Sequence, residues 1–347
     1  MATIHDVARH AQVGTGTVSR VLNNHTSVSE STRKRVEEAI VELNYSPHPM
    51  ARRLSLGKTL TIAVVAPFFT RPSYVERLRG IHTVLAESEY EFVLYNIESP
   101  DAWTAYLDKP MGQERHDGLL IMTLRPHSSA IQRLTATGMP IVFVDCDQPG
   151  FNRVIVDDVF GGRLATQHLI DLGHRQIAYV GDRVNSEFDF VANNHRFQGL
   201  ANIQRFQGYQ EALAAAHIPF QESYHQQAEH GVREAVIMAH RLLDLPDPPT
   251  AVVTASDTQA SGVLSAARER GVRVPEDLSV VGYDDIEIAE YLHLTTIRQP
   301  LFASGVAGIE LLLSMLSGGQ PEERCIQQPL ELIRRGTTST PGQPAIR

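Results

Sequence analysis

The hydrophobic period of this chain changes near residue 60, and no other feature limits its possible folds as much. Before that point apolar residues recur at helical spacing. Ile4, Val7, Ala8 and Ala11 form one face, Val18, Val21 and Leu22 a second, and Val36, Ala39, Ile40 and Leu43 a third. Thr3 with Asp6 three residues on, and Ser29 ahead of the third run, read as helix N-caps. Gln12-Val13-Gly14 breaks the first helix from a second over Thr15–Asn23, and Pro47 is expected to stop the third. After Leu60, short β-branched runs alternate with helical stretches. Strands are expected at Thr61–Ala66, Glu91–Tyr95, Gly118–Met122, Pro140–Asp145, Gln176–Gly181, Ala251–Ala255 and Leu278–Gly282. Helices are expected at Ser73–Ser88, Phe160–Leu172, Gly208–Ala216, Arg233–Leu243, Thr258–Arg270 and Phe302–Leu316. Strand–helix alternation makes parallel sheets covered on both faces, and this many elements exceed one sheet. Two Rossmann-like subdomains follow, with ligands expected at the carboxyl ends of their strands.

Charge separates the same two regions. Residues 1–58 carry eight Lys or Arg and five acids, a net +3, so the rest of the chain carries −12 of the overall −9. A basic head on an acidic body suits nucleic-acid binding by the head alone. No apolar run reaches the length of a membrane span, and the N-terminus lacks the features of a signal peptide. Cys146 and Cys325 form no CxxC pair, which fits a reducing cytosol and excludes a zinc-finger framework. His217, His225, His230 and His240 contain no HxxxH spacing, so no metal and no cofactor is expected.

The first two helices meet the demands of a helix-turn-helix, whose second helix enters the major groove. Gly14 and Gly16 permit close approach, Thr15, Thr17, Ser19 and Asn23 can bond phosphates, and Arg20 is long enough to fork onto guanine. Pro47-His48-Pro49-Met50-Ala51-Arg52-Arg53-Leu54 reads as a short helical segment with little to bury by itself, followed by a linker to Thr59. The repeat of Arg-Phe-Gln-Gly at 196–199 and 205–208 is too short to mark a structural duplication.

Ile4-His5-Asp6-Val7-Ala8, Val13 through Asn23 and Asn44-Tyr45-Ser46-Pro47 resemble the opening of LacI/GalR-family regulators. The likeness extends through Gly173-His174, Arg205–Tyr209, Ala255-Ser256-Asp257, Val280–Asp285 and Leu294–Ile297, nearly the whole chain. It implies an N-terminal all-α helix-turn-helix head, residues 1–46, a hinge helix and linker over 47–59, and an α/β core over 60–340. That core would be periplasmic-binding-protein-like, with an N-subdomain of about 60–158 and 300–320 and a C-subdomain of about 159–299 and 321–340. Thr15 and Gly16 fall where family members vary with operator sequence, and Arg20 where they keep a base-reading arginine. Thr3 joins the DNA-facing set. Leu54 matches a leucine that wedges into the minor groove, with Ala51 one turn behind it and Arg52 and Arg53 as phosphate contacts.

For the core, the resemblance implies a ligand between the subdomains. Candidates are Tyr74, Asp145, Arg205, His230, Ser256 and Asp284. The competing structural roles are a loop or helix cap for Asp145 and Asp284, a surface ion pair for Arg205 and core packing for Tyr74. Ser256 stands where relatives carry Asn, and His230 where they present an aromatic ring. Asp257 is expected to be the N-cap of the helix that follows it. The resemblance further implies a cytoplasmic, nucleoid-associated bacterial repressor acting on palindromic double-stranded operator DNA under a small-molecule effector. A sugar is the first expectation, a purine or phosphorylated sugar the second. The tail Thr337–Pro344 lacks heptads, so a homodimer is expected.

Two other readings stay in play. An enzyme is possible on such sheets, although there is no GxGxxG after a strand, no GxxxxGK[ST], no GxSxG and no HExxH. An activator or global DNA-bending protein, binding with little sequence preference, is the other.

Overall fold

The computed structural model describes residues 2–22, 25–46, 53, 56–108, 115–126, 128–183, 189–190, 195–196, 200–319 and 324–342. The chain divides into two units, one made of residues 1–60 and 113–117, the other of 61–112 and 118–347.

The first unit is a three-helix head: α1 (Ile4–His10), α2 (Thr15–Leu22) and α3 (Glu30–Glu42). The expected capping box is formed: Thr3 Oγ1 accepts from the Asp6 amide, and the Asp6 carboxylate accepts from the Thr3 amide at 2.9 Å. Gln12 takes a positive φ of 55° to turn the chain into α2. Ser29 caps α3 by accepting from the Thr32 amide. The three apolar faces meet in one buried cluster of Val7, Ala8, Ala11, Val18, Val21, Val36 and Ala39. Pro47 does not end α3. The helix stops at Glu42, because Asn44 adopts φ 45° and the amides of Asn44 and Tyr45 return to the carbonyls of Val41 and Ile40.

The second unit contains two six-stranded sheets. In chain order its elements begin β1 (Thr61–Ala66), α4 (Pro72–Leu85), β2 (Glu91–Asn96), α5 (Pro100–Asp108), β3 (Gly118–Met122), α6 (Ser128–Ala136), β4 (Ile141–Val144), β5 (Asn152–Ile155), α7 (Asp158–Asp171) and β6 (Ile177–Asp182). A two-residue ribbon, β7 (Asp189–Phe190) with β8 (His195–Arg196), precedes α8 (Leu200–Ala215), β9 (His225–Ala228), α9 (Val232–Leu243) and β10 (Ala251–Thr254). Then come α10 (Asp257–Glu269), β11 (Ser279–Asp284), α11 (Glu287–Tyr291), β12 (Thr295–Arg298), α12 (Leu301–Leu316), β13 (Cys325–Gln327) and β14 (Glu331–Ile333).

The first sheet runs β13-β5-β4-β3-β1-β2, all parallel. The second runs β14-β12-β11-β10-β6-β9, parallel except for β14. Each central strand is buried on both faces, so its residues alternate between two cores. In β1, Ala63 and Val65 face α5 and α6, whereas Ile62 and Val64 face α4 and α12. In the second sheet α9 and α10 cover one face, α7 and α8 the other.

The chain crosses between sheets three times, after β5, after β12 and between β13 and β14. The last crossing corrects the sequence reading, which placed 321–340 wholly with the C-subdomain. Cys325–Gln327 pair with Arg153–Ile155, so that strand belongs to the first sheet. A second correction concerns α8, expected to start at Gly208 but beginning at Leu200. Gly208 sits mid-helix because α7 lies against it: a Cβ there would overlap the Val159 carbonyl, and one at Gly162 the Arg205 carbonyl. Strands β5, β7, β8, β9, β12, β13 and β14 and helices α5, α6 and α11 were not anticipated.

The tail is bound rather than free through residue 339. The Val280 amide donates to the Thr337 carbonyl (2.8 Å), Thr337 Oγ1 donates to the Val280 carbonyl (2.7 Å), and the Ser339 amide donates to Ser279 Oγ (3.1 Å). Buried His174 supports this strap, with Nε2 2.9 Å from the Ser339 carbonyl and Nδ1 2.9 Å from Thr250 Oγ1. No helix among the described residues is long and apolar enough to cross a membrane.

Candidate functional site

In the head, Val18 and Val21 anchor α2 to the core and leave Gly16 and Arg20, one turn apart, exposed. Thr3 and Gly14 are exposed, and Thr15, Thr17 and Ser19 are half-buried. A Cβ at Gly14 or Gly16 would meet nothing within 4 Å, and neither has a positive φ. Among the described residues of this unit nothing requires glycine at either position, although Gly16, inside α2, costs about 0.5–1 kcal/mol relative to alanine. Arg33 closes the far end of α2 by donating to the His25 carbonyl at 3.0 Å. Asn23, Ala51, Arg52 and Leu54 lie outside the described residues.

The second unit holds a polar cavity of about 330 Å³. Its position follows from topology. β1 has its chain successor β2 on one side and β3 on the other, and β6 is flanked in the same way by β9 and β10. Each is a point where strand order reverses, leaving a crevice at the carboxyl ends. Phe68 and Thr123 follow β1 and β3, and Asp182 and Ser256 lie at the ends of β6 and β10; all four line the cavity. Backbone strain gathers here too. Phe68, Thr123, Asp145 and Asp284 have φ values of 46°, 53°, 58° and 108°, unfavourable for residues with a Cβ.

All six candidates named for the core, Tyr74, Asp145, Arg205, His230, Ser256 and Asp284, line this cavity. Their partners differ from those expected. Arg205 does not pair with a surface carboxylate. It is buried, donating from Nε to Asp158 Oδ1 at 2.7 Å and from Nη1 to the Ala255 carbonyl at 2.6 Å, with Asp284 3.5 Å away. Asp145 accepts from Arg77 at 3.0 Å, and Asp284 accepts from Gln299 Nε2 at 2.6 Å. Gln299 Oε1 in turn accepts from Arg77 at 3.3 Å, so one polar chain joins the two carboxylates across the second crossing. The Tyr74 hydroxyl accepts from Thr123 at 2.8 Å, and burial raises its pKa. Ser256, not Asp257, caps α10, accepting from the Gln259 amide at 3.2 Å. Asp257 is wholly buried, accepting from the Ile286 amide and Thr296 Oγ1, because it lies inside the first turn against β11 and β12.

Burial pushes the carboxyls of Asp158 and Asp284 upward despite the nearby Arg205. Asp182 moves the other way. Burial opposes its charge, but His230, Arg71 and Arg205 outweigh that and hold it below the usual range. Its Oδ1 lies 3.0 Å from His230 Nδ1 and 2.8 Å from Gln259 Nε2, and its Oδ2 3.6 Å from Arg71. Asp182, Arg71, Arg77, Gln259 and Gln299 escaped the sequence reading. Only Asp182 had a local signal, the position directly after an expected strand. Cys146, also on the wall, has its thiol pushed up to about 12 by burial, which keeps it protonated and unreactive. Among the described residues no group of His, Cys, Asp and Glu is arranged to hold a metal: His225 stacks on Phe206 and His240 pairs with Glu269.

A helix-turn-helix head and a polar crevice between two doubly wound sheets define a DNA-binding regulator with a ligand-binding core. Residues 3–48 match the family of bacterial regulatory proteins, lacI family, and residues 166–338 match the periplasmic binding protein-like domain. The chain is 33% identical to the HTH-type transcriptional repressor PurR of Aliivibrio salmonicida, over 96% of this chain and 98% of that one. It is 34% identical to the ribose operon repressor of Escherichia coli, over 97% and 100%. Among solved structures, the lac repressor dimer bound to operator and the anti-inducer ONPF matches with TM-score 0.82 and 30% identity, covering 97% of this chain and 99% of that one. The transcriptional regulator CelR–cellobiose complex matches with TM-score 0.68 and 32% identity, over 97% and 100%. The chain belongs to the lacI family and is a DNA-binding transcriptional regulator; the relatives named are regulators, not enzymes.

Proposed function

We propose that this regulator is a cytoplasmic, nucleoid-associated homodimeric repressor of a two-fold symmetric operator. Its operator affinity is set by a small, hydroxyl-rich molecule bound in the cavity between the two sheets. The observation that carries this reading is the polar chain Asp145–Arg77–Gln299–Asp284–Arg205–Asp158 along the cavity. It draws on both sheets and runs through the second crossing and the start of α7 after the first, so a ligand that repartners any member changes the fit of one subdomain on the other. Residues 1–46 act as the reader, 47–59 as the hinge and 60–340 as the sensor. Thr15 and Arg20 read bases, the exposed glycines admit the duplex, and Leu54 wedges into the minor groove. Effector binding alters subdomain closure, then the spacing of the hinges in the dimer. A coupling of about 1–3 kcal/mol suffices for regulation.

A sugar is favoured over a purine because a flat base needs open aromatic faces, whereas Arg71 already sits over the Phe68 ring, 4.4 Å from its centroid. The names of two similar proteins, a ribose operon repressor and a cellobiose complex, support the same class. The test is thermal stabilisation of the full chain across sugars and nucleosides, followed by operator binding with each hit. A stabilising sugar that shifts operator affinity upholds the reading, and the direction of the shift tells inducer from corepressor. Hits confined to nucleosides would overturn the sugar assignment.

A further inference from the structure

We infer that the effector is an anionic carbohydrate, its hydroxyls held at the carboxylate floor and its phosphate or carboxylate held by Arg71, Arg125 and Arg183. The inference rests on the reading of the cavity as the effector site. Five arginines line the cavity, and two are committed inward: Arg77 to Asp145 and Gln299, Arg205 to Asp158, Asp284 and the Ala255 carbonyl. The other three follow the ends of β1, β3 and β6, so they come from both sheets. Among the described residues the guanidiniums of Arg125 and Arg183 have no hydrogen-bond or ion-pair partner, and both residues are exposed. Arg71 lies over the Phe68 ring and makes a long ion pair, 3.6 Å from Asp182.

The acids on the same wall are already served. Asp145, Asp158, Asp182 and Asp284 each face a guanidinium, Asp147 accepts from Arg153 at 2.6 Å, and Asp157 caps α7. Among the described residues the lining guanidiniums without a side-chain partner are those of Arg125 and Arg183, both exposed; the one lining acid without a guanidinium is Asp157, whose carboxylate is engaged by the Phe160 amide. Guanidiniums recognise phosphate and carboxylate through forked, charge-assisted bonds. A neutral sugar fills the floor and leaves these donors unused. Arg77 Nε, buried and without an acceptor, offers one more donor inside. Arg71 supplies the exchange: staying over the Phe68 ring, its guanidinium turns from Asp182 to the ligand anion and releases Asp182 Oδ2 to accept a ligand hydroxyl. Asp182 Oδ1 meanwhile stays with His230 and Gln259.

The test uses the full chain and measures binding of ribose and glucose, ribose 5-phosphate and glucose 6-phosphate, gluconate, and inorganic phosphate. Calorimetry is run at low and high salt beside the R125Q/R183Q variant. An acidic probe is expected to bind at least tenfold more tightly than its neutral parent, with the advantage shrinking in salt. The double variant should lose that advantage but keep its binding of the neutral parent and its unliganded melting temperature. A preference for the phosphates or for gluconate identifies the anion, and either supports the inference. Neutral parents that bind as tightly as their acids, or a variant that keeps the preference, would overturn it while leaving the effector reading intact. Inorganic phosphate binding as tightly as the sugar phosphates would reduce the arginines to an adventitious anion site and also overturn it. If no probe binds, the effector reading fails as well.

Discussion

The guanidinium of Arg205 lies over the ring of Tyr283, 3.7 Å from its centroid, and both residues donate to one oxygen, Asp158 Oδ1. Asp158 stands at the start of α7, Tyr283 near the end of β11 and Arg205 in α8, so one carboxylate binds together three elements at the cavity floor. All three are buried, and removing the cation leaves Asp158 and Asp284 with neutral donors but without the guanidinium that faces them. Arg205→Ala is expected to cost about 3–5 kcal/mol. Urea unfolding measures this, and a loss below 1 kcal/mol would show that the triad does not hold the floor. Tyr283→Phe, which removes only the neutral donor, is expected to cost about 1 kcal/mol.

In the head, stability and function are expected to separate. Gly16→Ala fills open space on a helix, so it should stabilise the head by about 0.5–1 kcal/mol. Operator affinity should fall, because the methyl meets the duplex. Arg20→Ala should cost about 1–3 kcal/mol and relax preference at one base position. A base-substitution scan in an anisotropy assay decides both: a uniform loss over all sequences for Arg20→Ala would remove its base-reading role.

Gly208→Ala is expected to destabilise the core by about 1–3 kcal/mol, since the added methyl would collide with the Val159 carbonyl, a backbone atom that cannot rotate away. Thermal unfolding of the ligand-free chain measures it. An unchanged melting temperature would mean that α7 and α8 can separate at no cost.

Burial lowers the affinity of His168, His174 and His225 for protons below the usual imidazole value of 6.5. The unfolded chain takes up protons on these rings as pH falls through 6.5 while the folded rings stay neutral. Their contribution is therefore complete above 6.5 and declines below it. Asp158, Asp257 and Asp284 act in the opposite sense. Their raised values favour folding below the ordinary carboxylate value of 3.8, and that contribution is lost as pH rises through the folded values. Comparing His174→Gln with the unaltered chain isolates one ring. Between pH 7.5 and 5.5 the unaltered chain should lose more of its urea stability than the variant, and equal losses would show that His174 does not contribute.

What could be read without coordinates was local. Helix caps at Thr3 and Ser29, the apolar stripes of the head and the buried runs of β1 and β3 each declare themselves within a few residues, because period and capping depend on near neighbours. The six candidates of the core came from the family likeness, and the fold places all of them around one cavity, Tyr74 and Asp145 from the first sheet's side and the other four from the second's. Short edge strands such as Cys325–Gln327 and Glu331–Ile333 carry little apolar pattern, since they are only partly covered. Gly208 lies inside α8 rather than at its start, and only the approach of α7 accounts for a glycine there.

The amino-acid order alone thus determined a helical head and an α/β core, with candidate residues at strand ends. Tertiary structure decided which charges meet: Arg205 with Asp158 from 47 positions away, Gln299 with Arg77 from 222, and Arg71 with Asp182 across the two sheets. Among the described residues it also decided that the guanidiniums of Arg125 and Arg183 remain without a side-chain partner. The reason is physical: periodicity and capping act over a few residues, whereas ion pairing in a cavity depends on where strand order reverses, and only the complete sheets establish that.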